Sequence, residues 1–281
     1  MWVLKSTGER QEFNADKIKR TAIRAGATPN LAREISENIT DKVREGTDTR
    51  EIMGWILKYM DKHDPLVAAR YSLKDSLMSM GPAGFTFELY MQRLLTFKGY
   101  QVSIPDILPG ACISHEVDLI ISQKDQCWMG ECKFHNRHGL RSGIKDALYT
   151  YARFLDLMEG HLNGVCRIDF NFPWLICNTQ FSEDVIQYAA CKHMKLLSWK
   201  HPSGSSLRDI IEENKFYPIT VLRQLDSRAR EQALRAGIVT CRDLLDMDKA
   251  KLSFVIGLNQ SKTDELWQEA WNLTNLKHHE R

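Results

Sequence analysis

The sequence has no long hydrophobic run and no cysteine pair with metal-site spacing. No apolar stretch approaches the ~20 residues that cross a bilayer, and the opening segment MWVLKSTGERQEFN lacks the hydrophobic centre of a secretion signal. The seven cysteines are odd in number and form no CxxC pair, which argues against a disulfide framework or a zinc ribbon. We therefore expect a cytoplasmic protein whose thiols stay reduced.

An excess of one charge is also missing. The 38 basic and 36 acidic side chains leave a net charge of +2, so any surface that binds nucleic acid must be a local one. The pattern GxxxxGK[ST] does not occur, and ATP hydrolysis of the Walker type is therefore not implied. The 281 residues are enough for two or three domains of typical size.

Two clusters of breaker residues divide the chain, Gly81-Pro82-Ala83-Gly84 and the segment HPSGSS at 201–206. They predict domains at 1–80, 84–200 and 207–281. The first part has the pattern of a β-hairpin followed by four helices, the second alternates strands with helices, and the third is helical throughout. The predicted fold class is therefore a multi-domain α+β chain with an α/β core.

Several element boundaries follow from capping residues. Asn14 is predicted to cap the first helix, either Thr28 or Asn30 the second, and Thr49 the third. A fourth helix is predicted from Pro65 to Met80.

The strongest chemical pattern lies in EVDLII and WMGECK, on two successive predicted strands at 116–122 and 126–134. Glu131 and Lys133 are two residues apart and therefore point to the same face of their strand, and a hairpin would bring Asp118 beside them. Two carboxylates and the carbonyl of Cys132 can hold Mg²⁺. The metal would activate a water, which Lys133 can position or deprotonate.

This pattern also has a simpler interpretation. Glu-x-Lys triplets are common, and an ordinary strand hairpin with an exposed Glu–Lys pair would give the same spacing. A carboxylate that opens an apolar strand before the triplet is less common. The spacing alone leaves both interpretations open.

The segments FTFELYMQRLLTFKGYQV and WLICNTQFSEDVIQYAACKHMKLLSW lie on either side of this pattern. Together with it they resemble the Mrr-like branch of the PD-(D/E)xK nucleases over roughly 84–200. The resemblance implies a mixed sheet flanked by helices and a DNA endonuclease that uses Mg²⁺ or Mn²⁺. The family's catalytic residues fall on Asp118, Glu131 and Lys133, with Asp118 and Glu131 as metal ligands and Glu88 as an early helical carboxylate.

The other candidate residues around this site each have an ordinary structural interpretation as well. Glu88 is either a site residue or a solvated helix residue. Glu116 is either an outer metal ligand or a residue that covers the start of the strand. His135 and His138 can contact phosphates or belong to a polar loop. The resemblance also favours a cation on the helix that follows the core, for which Lys145 is the candidate.

The opening VLKSTGERQEFNADKIKRTAIRAG resembles the ATP-cone, a regulatory nucleotide-binding domain, over residues 1–80. The resemblance implies ATP or dATP as a regulatory ligand and self-association into a dimer or tetramer. Lysines would neutralise the triphosphate, and Val3 and Ile18 would enclose the adenine ring. The residues assigned to this nucleotide site are Val3, Lys5, Asn14, Lys17, Ile18, Thr49 and Arg70.

The C-terminal part, with Ala-Gly-Ile-Val-Thr at 236–240, looks like a helix-hairpin-helix or a related small helical domain. The N–H groups of Gly237 and Gly257 would then face DNA phosphates, with Lys249, Lys251 and Lys262 as nearby cations. The alternative is a protein–protein docking module of the same fold.

Three hypotheses about function follow. The first is a nucleotide-regulated, Mg²⁺-dependent DNA endonuclease used in restriction or phage defence. The second is a nuclease-fold protein that holds nucleic acid without cutting it, and the third is a nucleotide-sensing DNA-binding regulator. The complete Asp/Glu/Lys set favours the first.

Overall fold

The computed structural model describes residues 1–5, 8–81, 84–105 and 107–275. Ser6 and Thr7 of the predicted β-hairpin, the Pro82-Ala83 part of the first breaker cluster, and the end of the chain after residue 275 lie outside the described residues. The predicted division into three domains stays a prediction.

The N-terminal part is an antiparallel hairpin followed by helices. Asn14 and Thr28 cap the first two helices, since their side chains accept hydrogen bonds from the backbone N–H groups of Lys17 and Leu31. The elements are β1 (Trp2–Leu4), β2 (Arg10–Glu12), α1 (Ala15–Arg24), α2 (Pro29–Lys42), α3 (Thr49–His63), α4 (Pro65–Tyr71) and α5 (Leu73–Met78).

Two predicted boundaries in this part were wrong. The cap of α3 is Asp48, whose carboxylate accepts from the backbone N–H of Arg50 at 2.7 Å, and Thr49 is the first helical residue. The single helix predicted from Pro65 to Met80 is two helices that meet at Ser72. The Ser72 hydroxyl donates to the carbonyl of Ala69, a local bond that competes with regular helix geometry.

A five-stranded mixed sheet forms the centre of the molecule, in the order β11-β9-β7-β6-β3. The strands β3, β6 and β7 are antiparallel neighbours, whereas β7, β9 and β11 run parallel. The fold class, a mixed α/β multi-domain chain, is therefore confirmed. The elements are α6 (Phe85–Phe97), β3 (Gln101–Ser103), β4 (Leu108–Pro109), β5 (Ser114–His115), β6 (Leu119–Gln123), β7 (Gln126–Lys133), β8 (Arg141–Ser142), α7 (Ile144–Leu162), β9 (Phe172–Cys177), β10 (Gln180–Phe181), α8 (Glu183–Cys191) and β11 (Lys195–Leu197).

The hairpin of β6 and β7 differs from the prediction at one end. The strand predicted over 116–122 begins only at Leu119, so Glu116 and Asp118 precede it rather than share one of its faces. Leu119 pairs with Gly130. A side chain at Gly130 would meet Leu119 and Ile121 at 2.9 Å, which explains why the smallest residue lies next to the candidate site.

Helices make up most of the remaining chain. They are α9 (Leu207–Asn214), a short 3-10 helix (Ile219–Val221), α10 (Ser227–Arg235), α11 (Cys241–Leu245), α12 (Lys249–Ile256) and α13 (Gln260–Asn275). None of the helices in the described ranges is long and apolar enough to cross a membrane.

Two hydrophobic cores dominate the packing. One runs from Val3 to Ala68 and belongs to the N-terminal helices. The other runs from Ala69 to Leu273 and joins α6 and the sheet to the C-terminal helices. The buried hydroxyl of Tyr90 on α6 donates to the carbonyl of Phe216 at 2.7 Å. The C-terminal helices therefore pack directly on the helix that carries Glu88.

Candidate active site

The β6–β7 hairpin brings Asp118, Glu131 and Lys133 together at one end of the sheet. Asp118 precedes the Leu119–Gly130 pair, and its Oδ2 accepts a hydrogen bond from the backbone N–H of Cys132 at 2.6 Å. Nζ of Lys133 donates to Oε1 of Glu131, also at 2.6 Å. The alternation of side chains along a strand explains this contact, since residues two apart share a face.

A second cation, Arg153 of α7, completes the surroundings of Glu131. Its Nη1 donates to Oε2 of Glu131 at 2.5 Å, and only 7% of Arg153 and 3% of Glu131 are exposed. The ring of Tyr149, one turn earlier on α7, lies 5.2 Å from the guanidinium carbon of Arg153 and 5.7 Å from Nζ of Lys133. The carboxylate of Glu131 is therefore held between two cations beside one aromatic ring.

Arg153 was not among the site residues predicted from the sequence, although its position in the helical pattern indicates a buried partner. Ala147, Thr150, Phe154 and Leu157 lie on the buried face of α7, and Arg153 falls on that same face. An arginine is rarely buried without a partner, so its position in an apolar stripe predicts a buried carboxylate opposite. Lys145, the candidate cation, is exposed about two turns before Arg153.

Glu88 joins the site from the first turn of α6. Burial, followed by the negative charges of Asp118, Glu116 and Glu131, raises the pKa of Glu88 to about 7. Burial and the charge of Glu131 likewise raise the pKa of Asp118 to about 6, against the opposing effects of the Cys132 N–H and Lys133. Carboxylates that repel one another in a partly buried site are typical of functional positions.

Lys133 remains protonated in this surrounding. Burial by itself lowers the pKa of its amino group, but the charge of Glu131 and the hydrogen bond between the two side chains outweigh burial, and the net pKa is raised. In this arrangement Lys133 serves as a positive charge and a hydrogen-bond donor.

The oxygen donors of the site suit a magnesium ion by their chemistry. Within the described ranges, no group of three or more His, Cys, Asp or Glu side chains is placed to hold a metal ion. Mg²⁺, however, is ordinarily held by one or two carboxylates together with water and phosphate oxygens. Asp118 and Glu131 would supply those carboxylates. Burial and the charge of Glu131 raise the pKa of Asp118, and a divalent cation would relieve the repulsion between the two carboxylates.

Comparisons with known proteins identify relatives of this chain. An uncharacterized protein of Archaeoglobus fulgidus is 38% identical over 180 residues, which make up 64% of this chain and 97% of that protein. A crystal structure described as that of a protein of unknown function, AF1548, has 34% identity and a TM-score of 0.58, and the match covers 68% of this chain and 98% of that one. The chain belongs to the AF1548-like family. The family model described as AF1548-like, C-terminal, matches residues 217–274.

The C-terminal helices of this AF1548-like chain do not offer their glycine N–H groups to phosphates as predicted. The N–H of Gly237 donates to the carbonyl of Leu234, and that of Gly257 donates to Ser253. Both glycines have a positive φ, of 75° and 69°, and terminate α10 and α12 rather than beginning the next helix. That prediction was wrong because a glycine between two helices fits a C-terminal cap equally well.

The C-terminal lysines differ in their surroundings. Nζ of Lys249 is paired with Asp264 at 2.8 Å, and it lies 4.6 Å from the centre of the Trp267 ring. Lys251 and Lys262 are exposed. Contact between these two lysines and DNA stays a prediction.

The residues predicted for the nucleotide site are spread over the N-terminal part. Val3 and Ile18 are 4% and 6% exposed and belong to the hydrophobic core, so an adenine ring could reach them only if that core opened. Nζ of Lys5 pairs with Glu9 at 2.9 Å. Asn14 caps α1, and Lys17 is exposed in its first turn.

Arg70 contacts the end of one helix, and Thr49 begins another. Nη1 of Arg70 donates to the carbonyl of Ala25 at 3.3 Å. This carbonyl lies at the end of α1 opposite Asn14, about 15 Å away for a helix of 10 residues. Thr49 begins α3. The fold therefore keeps Asn14 and Lys17 together but separates Arg70 from them.

Two histidines of the loop after β7 have defined partners. Nε2 of His135 lies 3.0 Å from the hydroxyl of Ser142. Nε2 of His138 lies 2.7 Å from Oδ1 of Asp75 on α5. The loop that follows Lys133 is thus in contact with the last helix of the N-terminal part, which sequence analysis did not anticipate.

The raised carboxylate pKa values predict that stability falls as pH rises. Glu88 and Asp118 have ordinary values of 4.5 and 3.8, and values of about 7 and about 6 in the folded protein. Between the ordinary and the raised pKa values, the folded state therefore binds more protons than the unfolded state. The stabilisation that these groups contribute below pH ~4 is lost as the pH rises through ~7. Urea unfolding in EDTA should show a higher midpoint at pH 5 than at pH 8.

Glu88→Gln should reduce this difference, because the substitution removes a carboxyl group whose pKa is raised by burial and by the charges of Asp118, Glu116 and Glu131. The exposed Glu213 provides the control Glu213→Gln, which should leave the difference unchanged. The same pH dependence in the wild type and Glu88→Gln would contradict the assignment.

Proposed function

We propose that this protein is a Mg²⁺-dependent DNA endonuclease that hydrolyses phosphodiester bonds and is regulated by an adenine nucleotide. The observation that carries the proposal is the convergence of Asp118, Glu131 and Lys133 at one end of the β6–β7 hairpin. Its support is the raised pKa of Asp118 and Glu88 and the similarity to PD-(D/E)xK nucleases. Restriction or phage defence in the cytoplasm is the proposed setting.

Different groups of this protein would hold the metal ion and stabilise the attacked phosphate. Oxygens of Asp118 and Glu131, with the carbonyl of Cys132, would hold the ion. When bound, Mg²⁺ supplies Lewis-acid polarisation of the phosphate and lowers the pKa of a coordinated water. Lys133 would offset the negative charge that develops on the attacked phosphate.

Arg153 and Glu88 act on these groups rather than on DNA. Arg153 holds one oxygen of Glu131 from the buried side, which positions the carboxylate independently of Lys133. Glu88, with a pKa of about 7, exchanges its proton readily at neutral pH and can take up one released during hydrolysis. Arg153 is thus a positioning residue.

The proposed regulation has a physical route from the N-terminal helices to the site. His138 lies five residues after Lys133 and contacts Asp75 on α5 at 2.7 Å. The buried hydroxyl of Thr220 donates to the carbonyl of Ser76 on the same helix at 2.6 Å. A ligand that moves α5 would therefore move the loop next to Lys133. ATP or dATP bound to the N-terminal part, with assembly into a dimer or tetramer, is the proposed effector state.

Plasmid nicking tests both parts of this proposal. Supercoiled plasmid with Mg²⁺ should be nicked or linearised, and EDTA should abolish the reaction. ATP or dATP should change the rate several-fold and change the particle mass measured by light scattering, whereas AMP serves as the control. A wild type that leaves plasmid intact under every nucleotide would defeat the nuclease proposal. An unchanged rate and an unchanged mass would defeat the regulation.

One observation favours a second candidate, a nucleotide-sensing DNA-binding regulator without cleavage activity. Both oxygens of Glu131 are already neutralised by Lys133 and Arg153, and a carboxylate in that state attracts a metal less strongly. This candidate predicts DNA binding that is the same with and without Mg²⁺, and no product under any condition.

A further inference from the structure

A groove between the end of α2 and the outer face of α3 has no role in the site described above. Its volume is about 580 Å³. We call it the α2–α3 groove, and its principal lining residues are Lys42, Arg44, Trp55, Lys58, Tyr59 and Lys62. The carboxylate of Asp41 also borders it, so four cations face one acid.

The cations of the α2–α3 groove are available to a ligand. All four are exposed, and within the part of the chain that the structure describes none of them forms an ion pair. Nη1 of Arg44 donates to the carbonyls of Asp41 and Val43, which satisfies carbonyls at the negative end of α2 and removes an obstacle to an anion there.

Two aromatic rings alternate with these cations on α3. Trp55, Lys58, Tyr59 and Lys62 follow the spacing i, i+3, i+4, i+7 and so lie on one face of the helix. Both aromatic residues are half-buried, and the Tyr59 ring is held by stacking on His63, with centroids 4.6 Å apart. Packing therefore restricts the rotation of these two side chains.

We propose that the α2–α3 groove binds a single strand of DNA, with its cations on the phosphates and with bases stacked on Trp55 and Tyr59. Rows of cations with interleaved aromatic rings are what sequence-independent single-strand binding requires. A mononucleotide has one base, whereas the groove offers two aromatic platforms one helical turn apart, about 6 Å along α3. The inference rests on the proposed function for the choice of DNA as the nucleic acid.

Fluorescence anisotropy with a labelled oligo-dT of about 20 nucleotides, in EDTA, tests the groove without any cleavage. Lys58→Ala with Lys62→Ala should weaken binding by about tenfold. The slope of log K against log salt concentration should fall by about 1.4, which corresponds to two phosphate contacts on a single strand. The control, Lys98→Ala with Lys124→Ala, removes the same charge from exposed sites just after α6 and in the β6–β7 turn and should bind like the wild type.

Equal affinity and slope in the groove variant and the control variant would overturn the proposal. So would displacement of the oligonucleotide by ATP in EDTA with the potency of an unlabelled strand, since the groove would then be a mononucleotide site. Plasmid nicking by the same proteins separates this inference from the proposed function. Groove-dependent binding without nicking by the wild type supports the groove and defeats the nuclease proposal, whereas nicking with groove-independent binding supports the nuclease and overturns the groove.

Discussion

Lys133→Ala is expected to lower the rate of plasmid nicking by about a thousandfold. The amino group of Lys133 lies 2.6 Å from Glu131. Its side chain is 28% exposed, against 8% for Arg153, so Lys133 is the cation of the pair that we expect to meet a phosphate. Its loss removes the side-chain cation that would offset the charge developing on the phosphate. The rate should be measured with Mg²⁺ in excess, with and without ATP, from the conversion of supercoiled to open-circular plasmid.

The same hairpin provides a matched control. Lys124 lies at its distant turn and is exposed, so Lys124→Ala removes one lysine charge without touching Glu131. It should nick plasmid at the wild-type rate. If Lys133→Ala cuts as fast as Lys124→Ala, then Lys133 has no part in the chemistry.

Arg153→Ala is expected to destabilise the fold by about 3–5 kcal/mol. The substitution leaves the carboxylate of Glu131, which is 3% exposed, with Lys133 as its remaining cation and with a cavity beside it. The urea midpoint of the transition that includes the sheet should therefore fall by at least about 1 M. Arg167 is exposed, and Arg167→Ala should leave the midpoint unchanged.

A double substitution distinguishes a broken ion pair from lost packing. Arg153→Met with Glu131→Gln removes both charges and keeps most of the volume, so it should be considerably more stable than Arg153→Ala. If the double variant is as unstable as Arg153→Ala, packing rather than the unpaired charge of Glu131 causes the loss. A midpoint that Arg153→Ala does not change would show that the pair contributes nothing to stability.

Most of the central site could be predicted because it depends on local spacing. Glu131 and Lys133 share a strand face at any strand geometry, and a short hairpin brings Asp118 beside them with no contribution from distant residues. The caps at Asn14 and Thr28 are local in the same way. Each is an interaction between residues a few positions apart, which the chain makes whatever the rest of the fold does.

Other features could not be predicted because they depend on which elements pack together. The position of Val3 and Ile18 inside a core follows from how the hairpin and helices α1 to α4 close on one another. The glycines at 237 and 257 could have begun or ended a helix, and only the assembled helices decide between the two. The contact between His138 and Asp75 joins residues 63 positions apart.

The sequence by itself determined the mixed α/β class, the β6–β7 hairpin and the three polar residues at its end, since alternation and short-range spacing specify them. Only the tertiary structure decided that Arg153 of α7 neutralises Glu131 from the buried side. It also decided that burial and neighbouring carboxylates raise the pKa values of Glu88 and Asp118. The physical reason is distance. Charges on separate elements act on one another only after the helices have packed against the sheet and water has been excluded between them.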